Sequence, residues 1–249
     1  MRTIIKWLAL GIGILLILGA AAFVIWGLNP AQPMDEALAA MASTDTVTVR
    51  TEPWLVFQPA QGSPTTGLIF YPGGHVDPRA YAPAGQKIAE NGYLVVIVPM
   101  PLNLAVFGAG KAEDVMSAYP DIQNWVIAGH CVGGSMAANF VDNHPESLDG
   151  IILWASYPAK SDDLSDQDID SLSIYGTRDG LSTLTKIKAS EPLLPPNTLW
   201  IAIDGGNHSQ FGWYGPQSGD NEATISRQEQ QKQIVQAALD FLGSVDSRK

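Results

Sequence analysis

Short apolar runs alternate with helical patterns along most of this chain, and that alternation limits the fold more than any other feature. Runs such as YLVVIV and GIILWA have no polar face, which is typical of parallel strands covered on both sides. The predicted strands are Thr46–Arg50, Trp54–Gln58, Gly67–Tyr71, Tyr93–Val98, Trp125–Ala128, Gly150–Ala155, Leu172–Tyr175 and Leu199–Ile203. The predicted helices are Pro78–Asn91, Lys111–Ala118, Val132–Asn143, Leu181–Ala189 and Thr224–Leu242.

The first two strands follow one another without a helix, and the later strands alternate with helices. This order predicts an α/β fold: a mostly parallel, eight-stranded, doubly wound sheet with an antiparallel start. Right-handed crossovers then place the functional loops at the carboxyl ends of the parallel strands. The body from Asp45 to Lys249 is long enough for one domain with a substantial core.

The N-terminal segment Trp7–Leu28 is apolar and contains no charged residue. At about 1.5 Å per residue it spans roughly 33 Å, enough to cross the core of a bilayer. Arg2 and Lys6 precede it and no basic residue follows until Arg50, so the N-terminus is expected in the cytoplasm and the body outside. The expected organisation is a transmembrane anchor over 1–28, a linker with at most a short helix over 29–44, and the domain over 45–249.

Two alternatives remain open for this apolar segment. A cleaved signal peptide would use the small residues Ala20–Ala22, but the apolar run continues from Phe23 and exceeds the usual signal length of about 7–15 residues. The second alternative is a buried helix of the domain itself.

The charge balance argues against nucleic acids and anionic lipids as partners. The chain has 25 Asp and Glu residues against 14 Lys and Arg residues, a net charge of −11, which would repel nucleic acids and anionic lipid headgroups. No metal or other cofactor is expected: the acidic stretch Ser161–Asp170 lacks the glycine pattern of a calcium loop and is interpreted as a solvated loop. The oligomeric state is not indicated by the sequence.

The single cysteine, Cys131, lies at the centre of GHCVGG, between a predicted strand and a predicted helix. Gly129 and Gly133 stand two positions on either side of it, where a strained turn requires residues without side chains. The turn would place Cys131 at a helix N-terminus, where the macrodipole favours the thiolate form. The alternative is a glycine-rich helix cap around an inert thiol.

Two other loops also follow predicted parallel strands. LSIYGTRDG carries Asp179, and LWIAIDGGNHSQFG carries His208. Each residue alone has a common structural explanation, an Asp-Gly turn and a solvated loop histidine. Together with Cys131 they form the order nucleophile, acid, histidine. Asp204, on the histidine's own loop, is the rival for the acid.

Over residues 46–242 this order and context resemble the alpha/beta-hydrolase superfamily. The resemblance implies that Cys131 attacks an acyl carbonyl, that His208 transfers the proton and that Asp179 orients the imidazole. Most members carry Ser at this turn, whereas GHCVGG is similar to the dienelactone hydrolases, which carry Cys. An ester, lactone or thioester is therefore the expected small-molecule substrate. An inactive binding protein and an acyltransferase on the same site are the alternatives.

The resemblance also implies an oxyanion hole made of two backbone N–H groups. One would come from Val132 and the other from the loop YPGGH after the third strand, where Gly74 is the expected donor and Gly73 and His75 are alternatives.

Two further segments bear on the substrate pocket. The segment 156–171 is too short for a large helical cap, so the site should be open. Trp213 and Tyr214, in the long loop after His208, either form a wall of the substrate site or pack onto the body.

Overall fold

The computed structural model describes residues 2–247, and within them eight strands form one sheet. The strands are β1 (Val47–Arg50), β2 (Leu55–Pro59), β3 (Thr66–Tyr71), β4 (Leu94–Ile97), β5 (Asn124–His130), β6 (Gly150–Trp154), β7 (Asp170–Gly176) and β8 (Leu199–Ile203). The α-helices are α1 (Arg2–Gly27), α2 (Asp35–Ala39), α3 (Ala82–Ala89), α4 (Ala112–Ala118), α5 (Val132–Asn143), α6 (Leu184–Ala189) and α7 (Arg227–Asp246).

The strands lie side by side in the order β1-β2-β4-β3-β5-β6-β7-β8. β2 is antiparallel to both of its neighbours, and every pair from β4 to β8 is parallel. The predicted mostly parallel sheet of eight strands with an antiparallel start is thereby confirmed. Because parallel strands end at the same edge, the loops after β3, β5, β7 and β8 meet there.

Apolar side chains cover both faces of the sheet. Leu68 and Phe70 of β3 belong to the layer formed with α3 and α7, whereas Ile69 and Tyr71 belong to the layer formed with α4 and α5. Successive residues of a strand point to opposite faces, so a strand buried in both layers needs apolar residues at every position. This explains the continuous apolar runs in the sequence.

Helix boundaries differ from the prediction where side chains hydrogen-bond the backbone. The predicted helix Pro78–Asn91 consists of a 3₁₀ turn, Pro78–Tyr81, followed by α3. α6 begins three residues later than predicted because Asp179 accepts hydrogen bonds from the N–H groups that follow it, which holds the chain in a turn. α7 begins at Arg227, since the side chain of Ser226 caps its N-terminus.

The helix α1 stands apart from the core. Its segment Lys6–Gly27 is long and apolar enough to cross a membrane, and none of its most apolar part is buried. The alternative of a buried domain helix is therefore wrong, whereas a membrane span and a signal sequence both remain compatible with it.

Residues 29–44 contact the body rather than crossing open solvent. Ala31 forms a parallel bridge with Val76, Pro33 forms an antiparallel bridge with Tyr214, and Ala37 of α2 is fully buried. The segment 29–44, including its short helix, is therefore attached to the domain.

Candidate active site

Cys131 lies between the last residue of β5 and the first residue of α5, on a sharp turn with φ 52° and ψ −123°. Such a positive φ is strained for a residue with a side chain and costs of the order of 1–3 kcal/mol. Two hydrogen bonds hold the turn: the Cys131 N–H donates to the Trp154 carbonyl at 3.1 Å, and the Ser156 hydroxyl donates to the Cys131 carbonyl at 2.5 Å. The end of the neighbouring strand β6 and the residues directly after it thus fix the turn from one side.

The two flanking glycines are sterically required. A Cβ atom on Gly129 would lie 2.5 Å from the carbonyl carbon of Gly133, and a Cβ atom on Gly133 would clash with the carbonyl oxygen of Tyr71. The glycine spacing around Cys131 therefore has the predicted cause, the close approach of backbone to backbone around this residue.

His208 and Asp179 form a buried pair. The distance from His208 Nδ1 to Asp179 Oδ2 is 2.8 Å, and both side chains are completely buried. Burial alone lowers the pKa of His208, but the hydrogen bond to Asp179 and the nearby Cys131 side chain outweigh burial and raise that pKa to about 10. Both of these interactions favour the protonated form of the ring over the neutral form.

The other ring nitrogen, His208 Nε2, has no hydrogen bond of normal geometry to any group among residues 2–247. The side chain of Cys131 raises the pKa of the same ring, so it lies near it. Because Nδ1 is bonded to Asp179, Nε2 is the nitrogen available to the sulfur of Cys131. The three predicted residues Cys131, Asp179 and His208 are thus brought together, although they lie on three different loops.

The acid is fixed by its own loop. Asp179 Oδ1 accepts hydrogen bonds from the N–H groups of Leu181 and Ser182, each at 2.7 Å. The rival Asp204 instead accepts a hydrogen bond from the Thr177 hydroxyl at 3.1 Å. It is Asp179, not Asp204, whose carboxylate meets the histidine.

The backbone N–H groups of residues 73–75 differ in availability. The Gly73 N–H donates to the Tyr81 hydroxyl at 3.0 Å, and the His75 N–H donates to the Asn103 carbonyl at 2.7 Å. Within the described part of the chain, the N–H groups of Gly74 and Val132 make no hydrogen bond. A Cβ atom on Gly74 would lie 3.4 Å from Val132 Cγ2, so these two residues are direct neighbours.

A cleft of about 210 Å³ opens beside the cysteine. It is lined by Cys131, Val132, Ser135, Met136, Ser156, Tyr157 and Ser182. This volume is below the range of about 300–1,000 Å³ that is usual for drug-sized ligands. Between β6 and β7 the described chain forms no helix, so no helical cap covers the cleft from that segment.

Trp213 and Tyr214 do not line this cleft. Trp213 faces a larger groove of about 460 Å³ between α3 and α7, and Tyr214 is 1% exposed in the core. This loop packs onto the body, and Tyr214 also borders a separate cleft of about 220 Å³ beside Gly74 and His75. Backbone hydrogen bonds explain this packing, because Trp213 donates to the carbonyl of Ala80 and accepts from the N–H of Met34.

A buried network behind the turn escaped the sequence analysis. The Tyr81 hydroxyl accepts from the Gly73 N–H and lies 2.8 Å from Nδ1 of His130. Burial and the neighbouring His208 hold the pKa of His130 well below its usual range, so this ring is neutral. The network joins the loop after β3 to the last residue of β5.

Asp220 also escaped the sequence analysis. Its carboxylate accepts hydrogen bonds from the N–H groups of Gly180, His208 and Ser209, at 3.1, 3.2 and 2.8 Å. It therefore joins the acid loop to the histidine loop. No pattern marks this residue in the sequence, because it lies in an irregular loop.

Gln230 did leave a sequence signal. It precedes Ile234, Ala238 and Leu242 at four-residue spacing, which is the apolar stripe of α7. A polar residue on that stripe is fully buried here and exchanges two hydrogen bonds with the backbone of Asn207, next to His208. The sequence therefore indicated Gln230 by a polar residue at a position of the helix that faces the core.

The described residues contain no group of three or more His, Cys, Asp or Glu side chains arranged to hold a metal ion. In the acidic stretch, Asp162 is buried and accepts hydrogen bonds from Ser161 and Asn139, so it is not part of a solvated loop.

The fold is similar to that of known protein structures. The structure is similar to a protein from Thermoplasma acidophilum described as a CIB-like hydrolase, with a TM-score of 0.58, 17% identity, and coverage of 79% of this chain and 97% of that chain. It is also similar to a protein from Klebsiella pneumoniae described as a dienelactone hydrolase, with a TM-score of 0.57, 13% identity and the same coverage of both chains. At these identities the likeness concerns the fold.

No protein of curated function matches the sequence. Residues 67–232, however, match the profile of the Alpha/beta hydrolase family. This match includes the turn with Cys131 and the loops of Asp179 and His208, and it covers most of the sheet. The chain therefore belongs to the alpha/beta hydrolase family.

Proposed function

We propose that this protein is a membrane-anchored hydrolase that cleaves an ester, lactone or thioester through Cys131, His208 and Asp179. The observation that carries the proposal is the buried contact of 2.8 Å between His208 and Asp179, with the second ring nitrogen left for the strained cysteine. A histidine oriented by a carboxylate and open toward a thiol is the arrangement that nucleophilic catalysis requires.

Before acylation, the proton of the Cys131 thiol resides on His208, because the raised pKa of His208 keeps its imidazole ring protonated. The Cys131 thiolate attacks the carbonyl carbon, and the carbonyl electrons move to the oxygen. The N–H groups of Gly74 and Val132 stabilise this oxyanion, each good donor contributing about 3–4 kcal/mol. The intermediate collapses, the bond to the alcohol or thiol breaks, and His208 gives its proton to the leaving group. The product is an acyl-thioenzyme.

Deacylation uses the neutral His208 as a base. The ring takes a proton from water, the hydroxide oxygen attacks the thioester, and the same two N–H groups hold the second oxyanion. Collapse releases the carboxylic acid and returns the thiolate beside the imidazolium. An amide is a poor substrate for this route, because a thiolate leaves the first intermediate more easily than an amine does.

The thiolate can be tested with iodoacetamide on the full chain in detergent. We expect rapid alkylation of Cys131 at pH 6–7, lost in His208→Ala and retained in His144→Ala, a matched control that removes a histidine bonded to Glu113 on the surface. Alkylation that follows an ordinary thiol titration near pH 8.5 would contradict the proposal.

Acyl chemistry can be tested with p-nitrophenyl acetate. Turnover by the wild type and its loss in Cys131→Ala separate a hydrolase from an inactive binding protein. Adding alcohols or amines as acceptors and measuring new acyl products separates hydrolysis from acyl transfer.

We further propose that residues 7–28 anchor the protein, with the N-terminus in the cytoplasm, and that residues 45–249 form the catalytic domain outside. The apolar, exposed helix α1 supports this arrangement. N-terminal sequencing of the protein purified from membranes checks it, because a mature N-terminus near Phe23 would mean a cleaved signal sequence.

A further inference from the structure

The loop between β4 and α4 exposes apolar side chains beside the candidate active site. Residues 101–107 (PLNLAVF), here termed the 101–107 loop, contain no charged residue. Val106 and Phe107 are each 52% exposed. These two adjacent side chains form an apolar spot on the surface, and their meaning depends on what lies next to them.

The 101–107 loop touches the end of α1. The rings of Phe107 and Phe23 lie 6.4 Å apart between centroids in an edge-on arrangement. The side chain of Asn103 donates a hydrogen bond to the Gly27 carbonyl at 2.9 Å. The apolar loop and the apolar helix therefore form one continuous surface.

The depth of the contact follows from helix geometry. Phe23 lies four residues before Gly27, which is about 6 Å back along the helix axis at 1.5 Å per residue. Phe107 contacts the helix at this level, which is the membrane side of the helix end if residues 7–28 form the proposed anchor. Amphipathic segments that lie in a bilayer surface bury their apolar side chains to about 5–10 Å. Phe107 is thus placed at the depth of such a contact.

The same loop also borders the reaction site. A Cβ atom on Gly74 would lie 3.7 Å from Cδ2 of Leu104, and Gly74 adjoins Val132, which lines the cleft of Cys131. Through Leu104 the loop thus reaches the residue that adjoins the lining of the cleft.

We propose that the 101–107 loop contacts the bilayer, and that the substrate is an ester of an amphiphile dissolved in the membrane, which reaches Cys131 past this loop. The proposal rests on the proposed hydrolase function and names its substrate class. The absence of charge from the loop and the net charge of −11 favour uncharged or zwitterionic amphiphiles over anionic lipids.

Membrane contact can be measured without any activity. The full chain is reconstituted in phosphatidylcholine vesicles that contain some phosphatidylcholine with a diazirine near the carbonyl end of one acyl chain. After photolysis and trypsin digestion, we expect lipid adducts on peptide 88–111, mapped to Val106 and Phe107. Peptide 189–227, which carries the equally exposed Leu199 at 53%, serves as the internal control and should stay unlabelled. Equal labelling of the two peptides, or none on 88–111, overturns the proposal.

The substrate class is tested by comparing two esters, p-nitrophenyl acetate in water and p-nitrophenyl palmitate in vesicles. In Phe107→Ser, the ratio of palmitate to acetate turnover should fall about tenfold, the order expected for withdrawing one aromatic side chain from an apolar phase. Leu199→Ser, the matched control, should keep the wild-type ratio. An unchanged ratio in Phe107→Ser overturns the substrate assignment.

The two experiments distinguish this proposal from the hydrolase function. If wild type hydrolyses neither ester and Cys131→Ala changes nothing, the proposed function fails, and labelling of peptide 88–111 still decides whether the loop contacts lipid. If acetate hydrolysis depends on Cys131 but the loop is unlabelled, the function stands and the present proposal fails.

Discussion

Nδ1 of His208 lies 2.8 Å from Oδ2 of Asp179, and neither side chain has any exposed surface. A buried carboxylate without a charged partner would be costly, so each member of this pair depends on the other. The pair fixes which ring nitrogen faces the cysteine, since Nδ1 is occupied by the carboxylate.

Asp179→Asn should lower kcat by about three to four orders of magnitude, because the amide would favour the wrong tautomer of His208. Turnover of p-nitrophenyl acetate measures the effect. Asp204→Asn is the matched control, since Asp204 bonds Thr177, and it should keep most of the activity. Wild-type turnover in Asp179→Asn would refute the role of this carboxylate.

The stability of the protein should depend on pH through His208. Its pKa is raised from 6.5 to about 10 in the folded protein, so the stabilisation is fully present below pH 6.5 and is lost as the pH rises through 10. Thermal unfolding from pH 6 to pH 10.5 should therefore show a fall in Tm for the wild type that is steeper than for His208→Gln. Parallel curves for the two proteins would mean that the histidine does not carry this charge.

Gly133→Ala should destabilise the fold, because the added Cβ meets the Tyr71 carbonyl, a backbone atom that cannot rotate away. Overpacking of this kind costs typically 1–3 kcal/mol or more. Gly110→Ala is the matched control, since a Cβ there meets nothing within 4 Å. Comparing the unfolding midpoints of the two variants tests the steric requirement, and equal midpoints would count against it.

Asp220→Ala should lower kcat more than it changes KM. The carboxylate fixes the backbone of His208 and of Gly180 without reaching the cleft, so it acts as a positioning residue. We expect a loss of roughly tenfold or more in kcat, of the size that a small misplacement of catalytic groups produces. Glu222→Ala removes an exposed carboxylate from the same loop and should leave kinetics unchanged. A pure KM effect in Asp220→Ala would instead indicate a contact with substrate.

Some features of the fold could be predicted because a short stretch of sequence, such as an apolar run or a glycine turn, is compatible with few structures. β8 was predicted with its observed bounds, and α5 likewise, because an apolar run and a glycine turn mark their ends. Cys131 was found since only glycine fits at positions 129 and 133. Local sequence suffices where the constraint is local.

Other features depend on contacts between distant segments. Nothing near Asp220 in sequence specifies that it accepts hydrogen bonds from three N–H groups that lie 11 to 40 positions away. Trp213 and Tyr214 are aromatic residues of one loop, and only the fold decides whether they meet substrate or core. The attachment of residues 29–44 likewise depends on Val76 and Tyr214, which are far away in the chain.

The ring of Trp26 stacks on His75 with centroids 4.0 Å apart and planes 6° from parallel, and the Trp26 carbonyl lies 2.7 Å from His75 Nε2. His75 directly follows Gly74. A recombinant protein that starts at Asn29 to gain solubility would remove both contacts and free the side chain that follows the proposed oxyanion donor. Low activity in such a truncated protein would then report a damaged loop, so a preparation for assays should retain residues 23–28.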